Sequence, residues 1–467
     1  MTIVPSTIIP FVRPWEVLFY MELSRAVQER CPEPRPRVRF LTMWKEAADY
    51  LRNHTIGDEE VFFVPDFLRT ADVRGRADIA LAEKEMLQSS GTTIKTMLYA
   101  ERFLPRRQQD IESFMLRHLS VLLQLIPPRS LVLSNQIDHF CYWLACDIAR
   151  GRGGAYFGFS TPGRPSLYTQ VTKGPSEMWL PRSARTEHYE EADRQFEEIR
   201  HGVPPSYMKP QAAYPGLRKK IAVFASRVRE YSSGSYFISP RNFAAPVTDF
   251  MSKIRWAATQ KGVKHTRIED IEGPFVYLPL HFEPESATYV YAPQFRNQEQ
   301  FIHWVAQALP VGVKLVIKEN PGMWGRRPLE FYQTATRHPE TVWVRPETPS
   351  RDLIARCHAV ATIAGTSALE AVAMGKPAIV LGDPPFVGVI RSVRKVRSPA
   401  EMGVAIVEAL RGKTTVDDKV FRDDFARYIA NLVPRPYLWA KEVDGLASRN
   451  IEYGEEYADY VVECLEL

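Results

Sequence analysis

Long hydrophobic runs are missing from this chain of 467 residues. No segment approaches the roughly 18 uninterrupted apolar residues of a membrane span, so an embedded protein is not expected. Cysteine is scarce as well. The five present, Cys31, Cys141, Cys146, Cys357 and Cys464, are odd in number and scattered, which argues against a disulfide framework. Cys141 and Cys146 fall on one apolar predicted helix as core residues. No clustered histidine or cysteine completes a tetrahedral set around them, so no metal site is expected. The start, Met1-Thr2-Ile3-Val4-Pro5-Ser6, lacks a basic region ahead of an apolar core. Export by a signal peptide is therefore not expected, and the expected location is cytoplasmic.

A strong charge imbalance is absent too, the formal net charge being +5. The basic residues nevertheless bunch at Arg35, Arg37 and Arg39, at Arg106 and Arg107, from Arg218 to Lys220, and at Arg391, Arg394, Lys395 and Arg397. Such runs read either as solvated faces or as attraction to an anionic glycan or the inner membrane face, which would make contact with the membrane peripheral. No nucleic-acid-binding motif accompanies the charge. What remains is the composition of a soluble globular enzyme, 45% hydrophobic and 25% charged. Its length suits two domains.

Strands alternate with helices from the start: strands at 3–12, 37–42, 60–64, 130–133 and 155–160, and helices at 14–29, 43–53, 108–124 and 138–150. That alternation means βαβ units and a parallel sheet. Residues 1–185 are thus expected to form an N-terminal Rossmann-like domain. From 186–273 proline, glycine and serine break the pattern, which reads as a connector or insertion with one helix near 247–259. A second alternating block occupies 274–415. Helices near 420–432 and 455–465 fill the tail, 416–467.

Two segments of the second block carry the chemistry. Lys318-Glu319-Asn320-Pro321 follows an apolar strand at 313–317, and Gly365-Thr366-Ser367, with Glu370 one turn later, follows a strand at 359–363. Strand ends of an open α/β sheet are where ligands bind, and a small-residue turn lets backbone N–H groups approach an anion. Lysine at a strand end is a phosphate partner or a residue reaching for solvent. Ser367 and Glu370 are also spaced as a capping box, which explains both without a ligand. Arg326 and Arg327, after a glycine-rich loop, could meet anionic groups. His281 and the pair Glu283 and Glu285 follow the strand at 275–280; a carboxylate there could take a proton or stabilise a developing positive charge. Asp138, beside His139, follows the strand at 130–133 and is equally an N-cap.

These motifs resemble the donor domain of GT-B glycosyltransferases. More narrowly, Leu280-His281-Phe282-Glu283-Pro284-Glu285, Lys318-Glu319-Asn320-Pro321 and Gly365-Thr366-Ser367-Ala368-Leu369-Glu370 together resemble bacterial capsular polysaccharide biosynthesis proteins, whose better-understood members transfer Kdo from CMP-Kdo. The resemblance runs from about Val276 to Phe386. It implies an α/β, GT-B-like fold of two Rossmann-like domains facing a cleft, with residues 1–185 on the acceptor side, a helical connector, and C-terminal helices in 416–467 that pack back on the N-terminal domain. It implies a nucleotide-sugar site of Lys318, Asn320, Gly365, Thr366, Ser367 and Glu370, with Glu285, His281 and Asp138 as catalytic candidates. No cofactor and no metal are implied. The implied partners are the nucleotide sugar, a glycan or glycolipid acceptor and a polysaccharide assembly complex. Asn320 stands where relatives carry histidine. The alternatives are a sugar-nucleotide epimerase of the UDP-N-acetylglucosamine 2-epimerase kind and a non-catalytic scaffold of the same fold. Gly412-Lys413-Thr414 is no P-loop, because Val407 stands where its first glycine belongs.

Overall fold

The structure, a computed structural model, describes residues 4–71, 76–100, 108–165, 168–178, 182–203, 225, 262–283, 286–295, 297–323, 326–412, 416–434 and 454–466. The chain divides into two compact units, one of Met1–Trp179, Lys209–Pro246 and Leu432–Leu467, the other of Leu180–Met208 and Val247–Asn431. Each is built around its own sheet.

The first sheet holds β1 (Thr7–Val12), β2 (Arg37–Thr42), β3 (Glu60–Phe63), β4 (Ser130–Asn135), β5 (Ala155–Ser160) and β6 (Gln170–Lys173), in the order β3-β2-β1-β4-β5-β6. All neighbours run parallel except β5 and β6. Every residue of β1, β4 and β5 is buried, as strands covered on both faces require. The helix Val17–Arg30 packs on one face and carries the terminal helix Gly454–Leu465. Phe19 meets Tyr457 edge to face at 5.0 Å, and the Tyr457 hydroxyl shares a 2.8 Å hydrogen bond with Thr169 Oγ1. Phe159 closes that aromatic cluster against Phe19, Tyr20 and Tyr457.

The second sheet holds β7 (His265–Thr266), β8 (Phe275–Pro279), β9 (Lys314–Lys318), β10 (Thr341–Val344), β11 (Ala359–Thr362), β12 (Ala378–Val380) and β13 (Val393–Lys395). Its order is β13-β12-β11-β8-β9-β10-β7, parallel throughout. Counted from β8, six strands take the order of a doubly wound dinucleotide-binding sheet, with β7 added at the edge. The direction of winding reverses between β8 and β11, as it does between β1 and β4 in the first sheet. Two Rossmann-like units in one chain make the α/β architecture GT-B-like. Loops beyond the ends of β8, β9 and β11 therefore converge at a switch point, and those loops hold the motifs read from the sequence.

The stretch read as a connector begins with an ordered helix, Thr186–Arg200, that belongs to the second unit. There Phe196 meets Phe421 at 4.7 Å and Asp193 forks onto Arg422 at 2.5 and 2.6 Å, so its partner is the helix Asp418–Ala430. The helix expected at 247–259 lies outside the described residues. The tail is divided, Asp418–Ala430 lying in the second unit and Gly454–Leu465 in the first.

Phe159 is fully buried among three rings. Phe159→Ala should lower the unfolding free energy of the first unit by about 3–5 kcal/mol, the usual cost of emptying a packed aromatic site. Urea unfolding followed by tryptophan fluorescence and circular dichroism measures it; a loss under ~1 kcal/mol would mean that the cluster carries little of the unit's stability.

Candidate functional site

The frame of the site is a buried arginine. Arg327 is 1% exposed. Its Nη1 donates to Glu283 Oε2, its Nε to Glu319 Oε2 at 3.0 Å and its Nη2 to the His281 carbonyl at 2.7 Å. Glu319 also accepts from the Tyr332 hydroxyl at 2.9 Å and from the Asn320 N–H at 2.7 Å. One guanidinium thus joins the loop after β8 to the loop after β9. Burial pushes the Glu319 carboxyl up, while Arg327, Tyr332 and the Asn320 N–H oppose the shift. The sequence offered Arg327 to an anionic ligand; in the fold each of its three nitrogens donates to the protein. Arg326 lies over the Phe282 ring at 5.3 Å.

Gln298 adds a second clamp. Its helix, Gln298–Ala308, starts at Asn297, whose side chain caps the Glu299 N–H. The buried Gln298 amide then brackets the backbone of one residue, accepting from the His281 N–H at 2.8 Å and donating to the His281 carbonyl at 3.1 Å. The His281 ring reaches the loop after β11, its Nε2 lying 3.0 Å from Thr362 Oγ1 and 3.4 Å from the Ala364 N–H. Burial, and then Arg327, push its pKa down to about 4, so the ring is neutral at physiological pH. It shapes the turn as an acceptor for those two groups.

Gly365 donates to Thr362 Oγ1 at 3.2 Å. A Cβ at this position would stand 2.8 Å from that oxygen and 3.0 Å from His281 Cε1, so only glycine fits. The short helix Ser367–Ala373 follows, with Thr366 at its N-cap and no side-chain cap bond. Ser367 Oγ is buried and, among the described residues, has no hydrogen-bond partner. The capping box that would explain Ser367 and Glu370 as structural is therefore not formed.

Lys318, at the end of β9, donates to Ser350 Oγ at 2.9 Å, and the Tyr277 hydroxyl donates to the same oxygen at 3.2 Å. Burial lowers the Lys318 pKa to about 8, with Glu370 and Glu347 pulling it back up. The structure thus brings Lys318 and Glu370 into one electrostatic group, from motifs far apart in the chain. Asn320 Oδ1 accepts from the Gly322 N–H at 2.9 Å, which fixes the amide orientation and leaves the Nδ2 hydrogens outside the turn. Ser350, Glu347, Thr362 and Gln298 escaped sequence reasoning. The signal for Ser350 was its place at a helix start just beyond β10, on the same rim.

In the first unit, Arg13 follows β1 and Asp138 follows β4, the two strands at that sheet's reversal. Arg13 Nη2 donates to Asp138 Oδ1 at 2.6 Å, and its Nε to the Tyr142 hydroxyl at 3.0 Å. The N-cap of the following helix, Phe140–Gly151, is His139, so Asp138 serves the ion pair and not the helix end. Glu285 lies outside the described residues.

Among the described residues no group of three or more His, Cys, Asp or Glu side chains is placed to hold a metal. No described helix is long and apolar enough to cross a membrane. The basic runs are largely matched locally: Arg35 by Glu33, Arg39 by Glu60, Arg391 by Asp424, Arg394 by Glu408 and Lys395 by Asp383. Arg106, Arg107 and residues 218–220 lie outside the described residues. All five cysteines are buried and unpaired.

No protein-family model matches the chain, and no curated protein matches it. Among solved structures it is similar to the beta Kdo 2,7 transferase KpsC of Thermosulfurimonas dismutans, at 12% identity and a TM-score of 0.29 over 66% of this chain and 85% of that one. It is similar to HepE of Anabaena in complex with UDP-glucose, at 12% identity and 0.29 over 98% and 99%. It is also similar to the UDP-GlcNAc 2-epimerase of Neisseria meningitidis bound to UDP-GlcNAc, at 12% identity and 0.22 over 97% and 99%. The fold described above rests on the sheet orders and stands without these likenesses.

Removing the central cation should unsettle the second unit. Arg327→Met leaves Glu283 and Glu319 buried without their counter-charge and is expected to cost about 3–5 kcal/mol of stability, read by denaturant titration. A variant as stable as the parent would show that the carboxylates take up protons at little cost. The Lys318 amine gives a second handle. Its charge is present below pH 8 and lost above it, so affinity for an anionic ligand held there should fall as pH rises through about 8. Titrations between pH 6.5 and 9.5 measure this, and a flat profile removes Lys318 from the anion's contacts.

Proposed function

We propose that the second unit binds a nucleotide-activated sugar and that the protein transfers the sugar to a glycan or glycolipid acceptor in surface polysaccharide assembly, with CMP-Kdo the leading donor. The observation that carries this reading is the electrostatic pairing of Lys318 with Glu370 at the switch point of a doubly wound sheet, with Ser367, whose hydroxyl has no hydrogen-bond partner among the described residues, three residues before Glu370 on the same helix. A cation and an unsatisfied hydroxyl suit a phosphate, and a carboxylate one helical turn away suits a ribose hydroxyl. Asn320 adds amide donors where an imidazole would add a titratable charge.

In this reading the bond between the anomeric carbon and the phosphate oxygen breaks, and the electron pair leaves with the nucleotide phosphate. Lys318, Ser367 and the glycine turn stabilise that negative charge. The acceptor hydroxyl forms the new bond, and its proton passes to a carboxylate, with Glu285 the first candidate and Asp138 the second. His281, neutral and hydrogen-bonded to the turn, serves as a positioning residue. Because Lys318 supplies the charge, turnover is expected to persist in chelator.

Calorimetric titration with CMP, UDP and GDP tests the class. If none binds the folded protein above background, the transferase reading fails. With a binding nucleotide in hand, two substitutions separate binding from chemistry. Lys318→Ala should weaken nucleotide binding by about 1–3 kcal/mol, the worth of a charged hydrogen bond. Glu285→Gln should leave binding intact and lower turnover by a factor on the order of a hundred or more. Turnover near that of the parent in Glu285→Gln would move the search for the proton acceptor to Asp138. Formation of an epimer from UDP-N-acetylglucosamine with no acceptor present would replace transfer by epimerisation.

A further inference from the structure

On the second unit, His303 Nδ1 lies 3.0 Å from His338 Nε2. His303 stands on the exposed face of the helix Gln298–Ala308. His338 sits in the tight turn after the helix Leu329–Ala335, its N–H bonded to the Ala335 carbonyl at 3.4 Å and its own carbonyl accepting from the Thr341 N–H at 3.0 Å. The backbone thus fixes one ring by a turn and the other by a helix. The rings are tilted by 45° with centroids 5.0 Å apart. Nothing in the nucleotide site uses either histidine.

We propose that His303 and His338 form a surface site for one divalent transition-metal ion of the Zn2+, Ni2+ and Cu2+ class, with water completing the coordination. Metal–imidazole bonds are about 2.0–2.1 Å long, so two nitrogens in adjacent positions stand roughly 3.0–3.4 Å apart. The observed separation is at the short end of that range, and the exposed rings can turn their lone pairs onto a shared ion. Imidazole suits these metals over magnesium or calcium. The proton now shared between the facing nitrogens moves to the outer nitrogen of its ring, so both facing nitrogens present lone pairs and the rings stay neutral.

The site has a structural consequence. The two helices it joins pack together, and each braces a loop of the nucleotide rim, one through Gln298 on His281 and the other through Tyr332 on Glu319. A bound ion ties the far sides of those two braces to each other. Occupancy therefore stabilises the second unit without entering the site itself.

The test uses the full chain without an affinity tag, stripped with chelator and dialysed. Calorimetric titration with Ni2+ and with Zn2+ is expected to show one ion bound per chain. His303→Gln and His338→Gln should each weaken that binding by at least about tenfold, because each removes one of two protein ligands. The thermal midpoint should rise with metal in the parent and not in the double variant. Both substitutions are at or near the surface, and circular dichroism checks that the fold is kept. Equal affinity in the parent and the double variant overturns the proposal, as does an equal thermal shift in both, since the other histidines would then be the ligands.

Discussion

Burying a guanidinium is costly unless its nitrogens find acceptors, and in the Arg327 cluster each of the three nitrogens donates to one, two carboxylates and a backbone carbonyl. The consequences spread outward from it. Its carbonyl partner belongs to His281, whose ring shapes the turn before Gly365; its partner Glu319 receives the Asn320 N–H and the Tyr332 hydroxyl. Three loops from three strands are therefore held by one buried charge network. Such a network favours one arrangement of loops strongly, since a shift that breaks one bond strands a charge in the interior. It also delivers a cationic field that, with burial, holds His281 neutral.

The two sheets use the same topological device for different electrostatics. At the reversal of the first, Arg13 and Asp138 neutralise one another at 2.6 Å, and Tyr142 closes over the guanidinium. At the reversal of the second, Lys318 is given a neutral hydroxyl as its bonded partner, with carboxylates acting on it through space. A lysine in that setting is half-buried and incompletely compensated, and an arriving phosphate offers it a strong partner. An ion pair closed within the protein offers an anion far less. The two switch points thus differ in how fully their cation is compensated within the protein.

Much of the sheet was legible because both-face burial writes strands as continuous apolar runs, as in β4, β5 and β11. The glycine turn was legible for a related reason: Gly365 admits no Cβ, and that constraint appears in the sequence as a glycine. The helices Val64–Thr70, Arg76–Ser90 and Ile94–Ala100 were not recognised: in Arg76–Ser90, Leu81 and Leu87 face solvent at 57% and 55% exposure and blur the helical period, and the other two are only seven residues long. Arg327 was misread for want of distance information. It sits beside Arg326 after a glycine-rich loop, where both look like surface cations, and its partner Glu283 is 44 residues away in the chain.

The same limit explains Ser367 and Glu370. From spacing alone a capping box and a ligand site are equivalent, because both ask for a hydroxyl at a helix start and a carboxylate three residues on. The fold separates them by where the helix begins. With Thr366 at the N-cap, Ser367 is already helical and cannot reach back to cap, while Glu370 acts electrostatically on Lys318. One residue of displacement thus leaves the Ser367 hydroxyl without a hydrogen-bond partner among the described residues and sets Glu370 to act on Lys318. Because a Cβ at Gly365 would crowd Thr362 and His281, and Arg327 holds the His281 carbonyl, the buried network around Arg327 also constrains the shape of that turn.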